Sequence, residues 1–102
     1  MIEYSKIKAE VENPELTKTE SEVVSYLDEK ISDAIKREFP STNTVYVAEV
    51  LFTDRFRSQN IPEKRRSIVI QHLVKEAAKA GWLLERDDSD SQHAYYSIMP
   101  KK

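Results

Sequence analysis

The sequence predicts an α+β domain, mainly helical, in which three helices precede a C-terminal β-hairpin. Three observations predict it. Apolar residues recur at helical spacing in three separate stretches. The only glycine, Gly81, follows the third stretch, where a helix end favours a residue without a Cβ. Two alternating runs, residues 82–86 and 93–99, then flank a polar loop and read as a hairpin.

The first helix opens on one of two capping-box patterns, Thr17 with Glu20 or Thr19 with Glu22. Val23, Val24, Leu27, Ile31, Ala34 and Ile35 follow at helical spacing and lead to Phe39. Pro40 stops the helix, because the residue before a proline avoids the α region. Residues 44–47 are β-branched and aromatic and read as a short strand. Residues 48–57 read as a short second helix with two apolar stripes, Val47, Val50 and Leu51, and Ala48, Phe52 and Phe56. Two stripes on so short a helix mean wide burial or a partner. Residues 58–61 form a turn. Pro62 suits the first position of the third helix, which spans 62–80 with Gly81 as the residue after its cap. Residues 1–16 are a lead-in arm, with Ile2, Tyr4 and Ile7 as a short strand or a loosely held segment closed by the turn at Asn13-Pro14. Residues 17–102 are the folded domain.

Composition excludes several classes of chemistry. The 102 residues are 39% hydrophobic and 33% charged, as in a globular domain, and none is cysteine. That removes disulfides, thiolate metal sites and thiol nucleophiles, and it suits a reducing compartment such as the cytoplasm. The first residues carry no apolar signal-peptide core, and no run approaches the roughly 18 apolar residues that span a membrane. One glycine leaves no glycine-rich phosphate loop. The stretch 88-DSDSQ-92 lacks the central glycine and distal glutamate of a calcium loop, and His72 with Glu76 is a poor zinc set. No carboxylate pair suggests a catalytic cleft. No enzyme activity, cofactor or metal is expected.

The net charge of −2 conceals a local excess. Residues 54–75 carry six Lys/Arg against two Asp/Glu, whereas residues 1–38 carry six against ten. At 100° per residue, Val69, Leu73, Ala77 and Ala80, joined by Ile70 and Val74, form the core face of the third helix. Lys64, Ile68, Gln71 and Lys75 stand opposite, flanked by Arg65, His72 and Lys79. Arg66 falls on the core side, where its stem can lie on apolar surface and its head reach out. Lysine and arginine neutralise phosphate, glutamine pairs with adenine, and an aliphatic side chain meets a thymine methyl. The same face also suits a plain solvated helix.

With the residues 45-VYVAEVLFTDRFRSQNIPEKRRSIVIQHLVKEAAKAGWLLERDD-88, the order helix, strand, helix, turn, helix, hairpin resembles a winged helix-turn-helix domain over residues 17–99. The most specific part is the long third helix ending in 80-AGWLLER-86. The resemblance implies that Ile61 is a buried turn residue. It implies that Lys64, Arg65, Ser67, Ile68 and Gln71 face the major groove; Lys75, from its place in the outward row, is added as a DNA-binding candidate. Arg55 and Arg57 would contact the backbone, and residues 87–92 would be the wing. The wing departs from the pattern, because 87-DDSDSQ-92 brings three carboxylates where a cation usually meets phosphate. The implied function is a small double-stranded-DNA-binding transcriptional regulator, a homodimer reading two half-sites. The alternative is a winged-helix protein-interaction module without direct DNA contact, with a protein partner at the acidic wing.

Overall fold

A computed structural model of the chain describes residues 1–88 and 94–101. Those residues form four α-helices and a three-stranded antiparallel sheet: α1 (Tyr4–Val11), α2 (Lys18–Glu38), β1 (Val45–Ala48), α3 (Glu49–Ser58), α4 (Glu63–Lys79), β2 (Trp82–Asp87) and β3 (Tyr95–Pro100). The α+β class and the order of elements from residue 17 onward agree with the sequence. The lead-in does not. It is a helix, because Tyr4, Ile7 and Val11 stand at i, i+3 and i+7, and that spacing overrides the strand suggested by Ile2 and Tyr4.

Of the two possible caps, α2 uses the earlier. Thr17 Oγ1 accepts from the Glu20 amide at 3.1 Å, and Glu20 Oε1 accepts from the Thr17 amide at 3.0 Å. This reciprocal pair satisfies two amides left open at the helix start and holds the Glu20 side chain inside the fold. Val23, Leu27, Ile31 and Ala34 then face the core. The helix ends at Glu38, and Phe39–Ser41, with Pro40 near its start, make a single 3₁₀ turn. That turn sets the Phe39 ring edge-on to Trp82 at 5.1 Å.

The sheet has the order β1-β3-β2. Val45 pairs with Ile98 and Val47 with Tyr96 on one side of β3, and Leu84 pairs with Ile98 on the other. These five side chains are buried and meet the inner faces of the helices. Phe52 of α3 stacks on Tyr96 with centroids 4.2 Å apart. Phe52 and Phe56 therefore belong to the chain's own core and are not free for a partner, while Val50 of the other stripe is exposed.

Two backbone positions with positive φ place α4. At the end of α3, Asn60 adopts φ 56°, the Ile61 amide donates to Phe56 O at 2.9 Å, and the Asn60 amide donates to Arg57 O at 3.1 Å. This closing pattern buries Ile61 in the turn and reverses the chain into α4. At the far end, Gly81 at φ 91° ends α4 and feeds β2. Val69 and Leu73 are buried, Ile70, Val74 and Ala77 pack partly against them, and Ala80 is exposed.

Candidate nucleic-acid interface

The outward row of α4 survives in part. Lys64, Ser67, Gln71 and Lys75 are exposed, and Ile68 is half-buried. Arg57, in the last turn of α3, is exposed as well. No ion pair among the described residues involves Arg57, Lys64 or Lys75. Lys79, one turn beyond, lies 3.3 Å from the Glu76 carboxylate.

Arg65 is a correction. It was expected to face a groove, yet it is only 6% exposed. Its Nε donates to Glu20 Oε2 at 2.9 Å and its Nη2 to Glu20 Oε1 at 2.7 Å. Its Nη1 donates to the carbonyls of Val11 at 2.9 Å and Asn13 at 2.6 Å, and its Nη2 to Glu15 O at 3.0 Å. Every guanidinium N–H thus has an acceptor inside the chain. Hydrogen bonding from Arg65 holds the Glu20 carboxyl below its usual range, against the opposing effect of burial. The pair raises the Arg65 guanidinium in turn. The physical reason for the burial is the segment that follows α1. It crosses the flank of α4, and His72 Nε2 meets Pro14 O at 3.0 Å on the same flank. The carbonyl can only accept, so that nitrogen carries the hydrogen in this contact.

Arg66 behaves as its core-side position suggested. Its Nε donates to Ile61 O at 3.2 Å, and its guanidinium lies 5.6 Å from the Phe56 ring centroid.

Arg55 is also drawn inward. Its guanidinium carbon sits 3.9 Å from the centroid of the Tyr26 ring on α2, with Lys30 Nζ at 5.4 Å from the same ring. Among the described residues its Nε is buried without a hydrogen-bond partner. The side chain closes the α2–α3 junction.

The start of α4 does not stand free. Lys64, Ser67 and Ile68 line one wall of a cleft of about 560 Å³ whose other wall is Tyr4, Ile7, Lys8 and Val11 of α1. A duplex approaching the first turns of α4 meets α1 as well. Gln71 and Lys75, further along, lie outside that cleft.

The wing of residues 87–92 lies largely outside the described residues, from Ser89 onward. At its base, Arg86 donates from Nε to Glu49 Oε2 at 2.6 Å and from Nη1 to Asp88 Oδ2 at 3.2 Å. The guanidinium is raised chiefly by its hydrogen bond to Glu49. This cation of β2 is thereby engaged by two carboxylates. Sequence reading missed that link, although Glu49 at the start of α3 was available as an acidic first-turn residue.

No protein-family model matches the chain, and neither a curated protein nor a solved structure does. Among the described residues no cluster of His, Cys, Asp and Glu could hold a metal ion. No described helix is long and apolar enough to cross a membrane.

Proposed function

We propose that this domain is a winged-helix DNA-binding protein, a small transcriptional regulator of the cytoplasm, that lays the outer face of α4 in the major groove. The observation that carries the reading is the exposed row Lys64, Ser67, Gln71 and Lys75 on a 17-residue helix that leads directly into a β-hairpin. The pairing of β1 with β3, and of β3 with β2, supports it as the arrangement a winged helix requires. Arg57, Lys64 and Lys75 supply phosphate contacts, and Gln71 is the residue suited to a base edge. Arg65 and Arg55 take no part, since both are held within the fold.

The test is a titration against mixed-sequence duplex DNA at several salt concentrations. Three phosphate contacts give a slope of log affinity against log salt of roughly −2 to −3, and Lys64→Ala with Lys75→Ala flattens it by about two. Absence of binding to duplex DNA at about 50 mM salt and micromolar protein, where even non-specific binders register, overturns the reading.

A second reading is a protein-interaction module without DNA contact. The specific observation in its favour is the cleft between α1 and α4, where Tyr4, Ile7 and Ile68 offer apolar surface beside Lys64.

A further inference from the structure

Among the described residues, β1 has β3 on one side and no strand on the other. Two hydrogen bonds fix which of its backbone groups face that open edge. The Glu49 amide donates to Ala94 O at 3.0 Å, and these two residues continue the register that pairs Ala48 with Tyr95. Opposed residues in an antiparallel pair alternate between bonded and unbonded, so Glu49, Val47 and Val45 turn their amides toward β3. On the other side of β3, the Lys101 amide donates to Gly81 O at 2.8 Å, in register with Trp82 and Pro100. By the same alternation Tyr95, Ser97 and Met99 bond to β2, which leaves Ala94, Tyr96 and Ile98 for β1. Both bonds give the same answer: Tyr46 and Ala48 point their N–H groups at the open edge.

A groove of about 370 Å³ lies between α2 and β1. Ala34 and Leu51 give it apolar surface, and Tyr46, 54% exposed, lines it as well. An open strand edge beside such a groove is where an extended peptide adds as a further strand, with main-chain bonds for affinity and side chains for selection. The charges decide what kind of strand. Lys30, Asp33 and Arg37, one exposed stripe of α2, also line the groove, so two cations stand there with one carboxylate. Arg37 has Glu38 at 3.7 Å and stays exposed, and Lys30 Nζ lies 5.4 Å from the Tyr26 ring centroid. A second copy of this chain joined edge to edge would bring the stripe against itself, with net positive charge on both sides, and like charges across an interface oppose pairing. An acidic segment meets complementary charge instead.

We propose that the open edge of β1 takes an extended acidic segment of a partner protein, hydrogen-bonded to Tyr46 and Ala48, with its carboxylates toward Lys30 and Arg37. The proposal does not rest on the DNA reading. Arg57, Lys64, Gln71 and Lys75 do not line the groove, and the test uses no nucleic acid.

The probe is a short peptide of alternating glutamate and valine, blocked at both ends, and amide hydrogen exchange by NMR reads its binding. In the free protein the Tyr46 and Ala48 amides exchange readily while those of Val45 and Val47 are protected, and millimolar peptide protects the first two as well. Lys30→Glu and Arg37→Glu each weaken binding by about tenfold, and a peptide with lysine in place of glutamate binds about tenfold more weakly. Ala48→Pro tests the backbone. At φ −63° Ala48 already holds the conformation of a proline, so the change removes the edge N–H and leaves the ladder to β3 in place. This variant keeps its melting temperature and loses the peptide. Should it melt early, the two charge variants carry the test. Tyr46 and Ala48 amides that stay unprotected, charge variants or a folded Ala48→Pro that bind like wild type, or a wild type that dimerises through this edge until Ala48→Pro separates it, overturns the proposal.

Discussion

Arg65 grips both oxygens of the Glu20 carboxylate across 45 residues of sequence. The two side chains are 7% and 4% exposed. Removing one partner of such a buried pair leaves the other charge without compensation, so Arg65→Met should lower stability by about 3–5 kcal/mol. The double variant Glu20→Leu with Arg65→Met removes both charges and should recover part of the loss. It should not reach wild type, because the carbonyls of Val11, Asn13 and Glu15 also lose their donor. Urea denaturation of the four proteins in a double-mutant cycle checks this. Full recovery would show that those carbonyl contacts contribute nothing.

Acid should attack the same pair. The Glu20 carboxyl lies below its usual range chiefly because of the hydrogen bond from Arg65. A carboxyl with a depressed folded pKa contributes stability that is fully present above the unfolded value, about 4.3, and is lost as pH falls through the lower folded value. The stability gap between wild type and Glu20→Gln should therefore stay constant from about pH 7 to 5.5 and shrink below about pH 4. Urea melts across that range measure it, and a gap that widens on acidification would contradict the assignment.

Stacking, rather than phosphate, should account for Arg55. Its guanidinium lies over Tyr26, so Arg55→Ala removes a cation–π contact of roughly 0.5–2 kcal/mol and lowers the melting temperature. The same variant should leave the salt slope of DNA binding unchanged. A slope flattened by about one unit would return Arg55 to the phosphate contacts.

The turn after α4 gives a backbone test. A Cβ at Gly81 would meet no heavy atom within 4 Å, so space is not the constraint there. At φ 91° the cost of Gly81→Ala is conformational, of order 1–2 kcal/mol, and each kcal/mol lowers the melting temperature by roughly 4–8 °C. Calorimetry on the single variant is sufficient. No change in melting temperature would mean that the chain reaches β2 without this conformation.

Much of the fold was legible in the sequence because its signals are local. Pro40, the Asn60-Ile61-Pro62 turn and Gly81 mark the ends of helices through constraints on single residues. The candidate site was less legible because burial is not local. Arg65 flanks the outer row on a helical wheel, and nothing within α4 shows that residues 11–15 lie across it. The order of Lys64, Arg65 and Arg66 looks uniform in sequence, yet the three meet solvent, a buried carboxylate and a backbone carbonyl respectively. One missed signal was present. Thr17 with Glu20 was recognised as a capping pattern, and a cap that holds a glutamate inward at a helix start gives a buried partner for a distant arginine. The helical spacing of Tyr4, Ile7 and Val11 was also there, hidden by the competing alternation of Ile2 and Tyr4.

The place of β3 between β1 and β2 bears on the order in which the molecule can assemble. The sheet partner of β1 among the described residues is β3, and Val45 waits for Ile98, more than fifty residues later. The helices between them can form and meet while the chain is still being made, but β1 has no strand to join until residues 95–100 emerge. Until then its valines and both of its edges are open, which is the condition under which a nascent chain finds the wrong strand. Synthesis that stalls before Tyr95 should therefore yield an aggregating species rather than a smaller folded one.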